Sequence, residues 1–152
     1  METLINQLLF RGFRLDRWLK KFLQTLQTEA AEGFLQVLLN VMRLAFLVSP
    51  DYRRNIKHFE ARYQFKSQED GLAVAAEFRS GKMTVTEGCI ASPTIIVNFK
   101  NSKALMSFLL APKPDILNSI LHQEITLKGN LNYLYKFAYM SKRLQLMALG
   151  QA

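Results

Sequence analysis

The stretch from Glu124 to Phe137, EITLKGNLNYLYKF, constrains this chain more than any other segment. Ile125 and Leu127 alternate with Glu124, Thr126 and Lys128, which is the period of a half-buried strand. Gly129 breaks that strand. Asn130 stands where a helix N-cap belongs, directly before the apolar run Leu131, Tyr133, Leu134, Tyr135 and Phe137. Nothing in a strand that ends at Gly-Asn and opens into an apolar helix looks catalytic. It reads as part of a container.

The helix begun there runs to about Leu149 and is apolar around most of its circumference. Only Asn132, Lys136 and Arg143 leave a thin polar stripe. Such a helix must be buried, dimerised or folded over a hydrophobic ligand. The chain as a whole divides into three sections without repeats. Met1 to about Val48 reads as helical, with Leu15, Trp18, Leu19, Phe22 and Leu26 forming an apolar stripe. Gly33 marks a break between two helices, and Ser49-Pro50-Asp51 ends the section.

The middle section is strand-rich. From His58 to Lys66, Phe59, Ala61, Tyr63 and Phe65 alternate with polar residues. Leu72, Val74, Ala76 and Phe78 line one face of a second strand. Ser80-Gly81 makes a hairpin loop into a third strand over Met83 to Thr86. Ile95, Val97 and Phe99 point inward from a fourth. Short sequential strands joined by tight turns imply an antiparallel meander covered on one face. Helices then return. Asn101-Ser102 caps one carrying Ala104, Leu105, Phe108 and Leu109. Pro112 and Pro114 end it, and Asp115 caps a short helix through Leu121. The expected class is α+β: about five mostly antiparallel strands covered on one face by helices, behind an extra N-terminal helical pair.

A chain of 152 residues that is 49% hydrophobic predicts one domain with a sizeable core. The expected division is helices over residues 1–50 and a core over 56–149. Eleven Phe and 6 Met suit a large core or an adaptable apolar pocket. The single cysteine, Cys89, leaves no internal disulfide, fits a reducing compartment, and reads as a small apolar filler near a turn. Leu4 to Phe10 lacks the basic start and cleavage site of a signal peptide. Phe34 to Val48 is too short for a membrane span and is interrupted by Arg43; Gln36, Asn40 and Arg43 share one helical face. A cytoplasmic protein, peripheral at the membrane, is the expected setting.

From about Ile56 to Leu146 the chain resembles the sterol carrier protein type 2 lipid-binding domain. The resemblance is carried by the hairpin FRSGKMTVTEG, by TIIVNFK leading into SKALMSFLLA, and above all by ITLKGNLNYLYKF. Lys128, Gly129, Asn130 and Lys136 stand at the positions of the family's Lys-Gly-Asn strand end and following helix lysine. The chain departs from the pattern at Asn101-Ser102, where the family has an Asp, and at Gln123-Glu124, where it has Gly-Lys. The motif therefore argues for the fold and not for sterol. The resemblance implies a non-catalytic carrier that holds a lipid or fatty-acyl ligand in an apolar tunnel between helices and sheet.

Candidate wall residues are Leu105, Phe108, Leu109, Ile116, Ile120, Leu131, Leu134, Tyr135 and Ala138. Plain core packing is the alternative for each. The net charge of +8 favours an acidic partner. Arg11, Arg14, Arg17, Lys20 and Lys21, with Trp18 on the apolar side, suit an interfacial helix at an anionic membrane; an ordinary solvated helix is the alternative. Tyr63, Phe65, Phe78 and Phe99 offer a stacking platform for nucleic acid only if exposed, and Tyr63 and Phe65 fall on the buried face. His58 and His122 read as solvated or capping. No phosphate loop, triad order or metal-ligand spacing appears, so no cofactor, metal or catalytic residue is expected. A different class remains: an accessory protein, as a homodimer or with a protein partner, presenting lipid intermediates such as quinone precursors to membrane-linked enzymes.

Overall fold

The computed structural model describes residues 34–69, 71–111 and 115–148. Strands β1 (Ala61–Ser67), β2 (Ala73–Arg79), β3 (Lys82–Glu87), β4 (Ile95–Phe99) and β5 (Ile125–Lys128) form one sheet in the order β3-β2-β1-β4-β5. Strand alternation puts Tyr63, Phe65, Val74, Ala76, Phe78, Ile95, Val97, Phe99 and Ile125 on one face, and all are buried. Helices α1 (Phe34–Val48), α3 (Ser102–Leu110) and α5 (Leu131–Ala148) pack on one another and against the sheet. The class is α+β, as the periodicities predict.

The connectivity is not a simple meander. β1, β2 and β3 pair antiparallel in sequence order, and Ser80-Gly81 turns the β2–β3 hairpin with positive φ at both residues. β4 does not continue beside β3. It lies on the other side of β1, parallel to it, with Tyr63 opposite Ile95 and Phe65 opposite Val97. Residues 88–94 make this crossover, and Gln64 holds it. That side chain is 1% exposed. Its amide donates to the carbonyl of Gly88 at 3.0 Å and to that of Val74 at 3.3 Å, and its Oε1 accepts from the Ile90 N–H at 2.7 Å. Ala75, Gln64's partner on β2, has no bulk to obstruct the loop and is itself buried. Cys89 lies in this crossover and is exposed, so it does not fill an apolar space.

Two further boundaries differ from expectation. Pro50 does not stop the helical section. Ser49 caps a new turn, α2 (Pro50–Arg53), by accepting from the Tyr52 N–H at 3.2 Å, with Pro at the first helical position where its missing N–H costs nothing. A 3-10 turn, Arg54–Ile56, follows. β1 then begins at Ala61 rather than His58, and half-buried Phe59 packs from outside the ladder on Tyr63, Phe78 and Tyr133. The expectations for Met1 to Gly33, and for the stop at Pro112 and Pro114, lie outside the described residues.

Candidate functional site

The opening motif folds as its residues dictate. β5 ends at Lys128, and Gly129 takes φ +127°, a conformation side-chain-bearing residues avoid. A Cβ there would stand 2.9 Å from the Thr94 carbonyl oxygen, so glycine is required for close approach to the start of β4 as well. Asn130 Oδ1 accepts from the Asn132 N–H at 2.9 Å and starts α5.

Two tyrosines fix α5 over the sheet. Tyr63 donates its hydroxyl hydrogen to the carbonyl of Tyr133 at 2.7 Å, and Tyr52 does the same to Met140 at 2.8 Å. These carbonyls are two helical turns apart on one side of α5. Burial pushes both phenols well above the ordinary tyrosine range. The Arg143 charge opposes the shift at Tyr52, and Tyr133 adds to it at Tyr63. Both hydroxyls therefore remain donors. Between these anchors the space under α5 is filled with rings: Tyr63 stacks on Phe65 at 5.8 Å, and Phe137 lies 4.9 Å from Phe65. Sequence alternation marked Tyr63 and Phe65 as buried but gave no sign that their rings interlock with α5.

The candidate wall lies in the helices beside that aromatic block. On α3, Leu105, Phe108 and Leu109 are buried, as are Leu134 and Ala138 on α5. On the short α4 (Ile116–Leu121), capped by Asp115 accepting from the Asn118 N–H at 3.0 Å, Ile116 is buried. Ile120 and Leu131 are half-buried against the same core cluster. Eight of the nine thus gather in one apolar cluster. Tyr135 does not join them. It is 47% exposed on the outer side of α5, with Tyr139 one turn further on. The helix period explains this: Leu134, Phe137, Ala138 and Met140 define the inner face, and Tyr135 points away from it.

The polar stripe expected on α5 is partly engaged. Lys136 Nζ sits 5.4 Å from the Phe59 ring centroid, and Arg143 pairs with Asp51 at 3.1 Å. Gln145 ties α5 to the end of α3 by donating to the Leu109 carbonyl at 2.7 Å. α4 carries apolar residues both inward and outward: Ile116 and Ile120 pack on the core, while Leu117 and Leu121 are 60% and 80% exposed. His122 donates from Nδ1 to the Asn118 carbonyl at 2.8 Å, the geometry of a helix-end cap. The aromatic residues weighed for base stacking, Tyr63, Phe65, Phe78 and Phe99, are all buried. Among the described residues no three His, Cys, Asp or Glu side chains gather as a metal site, and no helix is long and apolar enough to cross a membrane. Arg11, Arg14, Arg17, Trp18, Lys20 and Lys21 lie outside the described residues.

No protein-family model matches the chain, and no curated protein matches it in sequence. Solved structures do match in shape. A UbiJ-SCP2 ubiquinone synthesis protein superposes with a TM-score of 0.55 at 10% identity, over 75% of this chain and 94% of that one. Sterol carrier protein 2 like 2 from Aedes aegypti gives 0.51 at 13% identity, over 72% of this chain and 98% of that one. The fold is that of the sterol carrier protein 2 domain. The same SCP2 fold also occurs inside an enzyme: the sec-alkylsulfatase Pisa1 from Pseudomonas sp. gives 0.53 at 16% identity, over 64% of this chain but 16% of that one. At these identities the likeness is one of fold.

Proposed function

We propose that the protein is a non-catalytic lipid carrier, with residues 56–149 as its lipid-binding core. The ligand is a long-chain lipid or fatty acyl group held among α3, α4 and α5. The observation that carries this reading is α4. A six-residue helix that buries Ile116 and exposes Leu117 and Leu121 is an apolar flap beside an apolar cluster. Leu105, Phe108, Leu109, Ile116, Ile120, Leu131, Leu134 and Ala138 form the wall, and Tyr135 marks its outer limit. Burial of a chain is worth about 0.8 kcal/mol per methylene, so ten carbons contribute about 8 kcal/mol before ordering costs. No hydrogen bond to the ligand is needed. The SCP2 fold supports the reading by placing an apolar helical layer against the sheet.

Native mass spectrometry and lipid extraction of the purified protein, with displacement of a fluorescent fatty acid, test it. A bound lipid and saturable displacement are expected. An empty protein that displaces nothing refutes the carrier.

A second reading is favoured by the match to a ubiquinone synthesis protein. Here the protein is an accessory factor that presents lipid intermediates, such as quinone precursors, to membrane-linked enzymes. Tyr135 and Tyr139 on α5, and Val37 on α1, are its exposed contact residues. Size-exclusion chromatography with light scattering separates the two. A lipid-bearing monomer supports the carrier, whereas a stable dimer with an empty core supports the scaffold. In either role a cytoplasmic protein must meet a membrane, and Arg11, Arg14, Arg17, Trp18, Lys20 and Lys21 are the proposed contact. Flotation with anionic vesicles tests this: reversal of Arg14, Arg17 and Lys20 to Glu is expected to weaken binding.

A further inference from the structure

The β2–β3 hairpin turn, Ser80-Gly81, projects between two surface clefts. One, of about 320 Å³, is lined by Pro50, Arg53, Arg54, Lys57 and the turn itself. The other, of about 430 Å³, includes Arg43, Arg53, Leu47, Lys82 and the same turn. Arg79 stands next to the turn on β2. Six cations, from α1, α2, the 3-10 turn and the residue after it, β2 and β3, therefore converge on one end of the molecule, and no acidic side chain among the described residues lines either of these two clefts.

Arg79 shares a third cleft with Glu60 and Glu77, but the acids nearest the other five cations are engaged. Arg53 donates to the carbonyls of Phe46 at 2.8 Å and Leu47 at 3.3 Å, which caps the negative end of the α1 dipole. Asp51 is shared between Arg54 at 3.5 Å and Arg143 at 3.1 Å. Glu77, on the outer face of β2, is taken by Arg62 at 2.9 Å. Arg43, Lys57, Arg79 and Lys82 are exposed and make no ion pair among the described residues. A cluster of like charges left unpaired repels itself, and an anionic surface relieves it.

We propose that this hairpin end docks on an anionic lipid bilayer. Two features favour a bilayer over nucleic acid. Leu47, 46% exposed, stands among the cations as a side chain able to enter the headgroup layer. Among the described residues no exposed aromatic ring lines either cleft to stack on bases, since Phe46 is buried. None of its residues belongs to the N-terminal basic segment, and the proposal does not depend on what the core carries.

The test is flotation of the full chain with vesicles of phosphatidylcholine alone and of phosphatidylcholine with phosphatidylglycerol. Binding is expected only to the anionic vesicles and is expected to fall as salt rises. Arg54→Glu with Lys57→Glu and Lys82→Glu is expected to weaken it about ten-fold or more, given what a single cation contributes near an anionic surface. Reversal of Lys100 and Lys103, remote from the turn in sequence and outside both clefts, should change it little. Reversal of Arg14, Arg17 and Lys20 is measured separately, so that loss there alone leaves the hairpin surface refuted. Arg54→Gln with Lys57→Gln serves if the triple variant does not melt cooperatively. Unchanged binding by the hairpin variants overturns the proposal. So does equal binding to neutral vesicles, or retention of single-stranded oligonucleotide in place of vesicles.

Discussion

At Gly129 the chain must pass β4 closely and then start a helix, and both demands fall on one α-carbon. Gly129→Ala sets a Cβ against the Thr94 carbonyl oxygen and holds alanine at φ +127°. The conformation alone costs about 1–3 kcal/mol. Urea unfolding should show at least that loss, and an unchanged midpoint would sink the argument. Gln64 carries a different burden, because its amide holds the crossover loop at two backbone groups, Gly88 C=O and Ile90 N–H, and also bonds the Val74 carbonyl on β2. Gln64→Leu keeps the volume but leaves those groups without their partner, a cost of about 1–3 kcal/mol. Gln64→Glu puts a buried carboxylate beside the Gly88 and Val74 carbonyls. Its folded pKa must rise above the unfolded value, so its ionised form is what destabilises. The deficit is therefore expected to shrink as pH falls from 7 towards about 4, the ordinary glutamate range. A deficit independent of pH would refute burial of an ionised carboxylate as its cause.

Elements set by local signals were legible in the sequence. Asn101, Asp115 and Asn130 each cap the helix that their neighbours' periodicity announces. The Ser80-Gly81 hairpin is likewise local chemistry. Pairings that depend on distant residues were not legible. Seven residues between β3 and β4 read as one more turn of a meander, because nothing in their composition reports that Gln64, far upstream, anchors them on the opposite side of β1. Tyr135 was misplaced for a related reason: an apolar helix gives period but weak phase, and Tyr135 and Tyr139 lie on its outer face while Tyr133 packs inward. α4 shows the same ambiguity from the other side, with apolar residues both inward and outward. Ile116→Ser should cost about 2 kcal/mol or more as a buried truncation to a polar group. Leu117→Ser with Leu121→Ser should leave stability within about 0.5 kcal/mol, as exposed substitutions do. If α4 is the flap, the second variant should nevertheless slow uptake of a fluorescent fatty acid in stopped-flow mixing. Unaltered uptake kinetics would remove α4 from the entry route.

Within the apolar core, Tyr52 on α2 and Tyr63 on β1 each tie their own element to α5 through a hydroxyl donated to its main chain. Each links a residue before or within the sheet to the α5 main chain across a buried apolar layer. Both phenols are raised by burial above their ordinary value of 10.0. In the unfolded chain they ionise near pH 10, whereas in the folded chain they cannot follow. Their contribution to stability is therefore complete below about pH 10 and is lost progressively above it, by up to about 1.4 kcal/mol per pH unit for each tyrosine. At neutral pH, Tyr52→Phe and Tyr63→Phe should each cost about 1 kcal/mol, the net worth of the hydrogen bond. Above pH 10 the variants escape the ionisation penalty. Their stability curves should approach that of the parent and then cross it. Urea unfolding of the parent, each single variant and the double variant at pH 8 and at about pH 11 measures this directly. Curves that stay parallel across that range would mean that the hydroxyls do not keep their protons when the protein folds. The linkage between α5 and the sheet would then rest on ring packing alone.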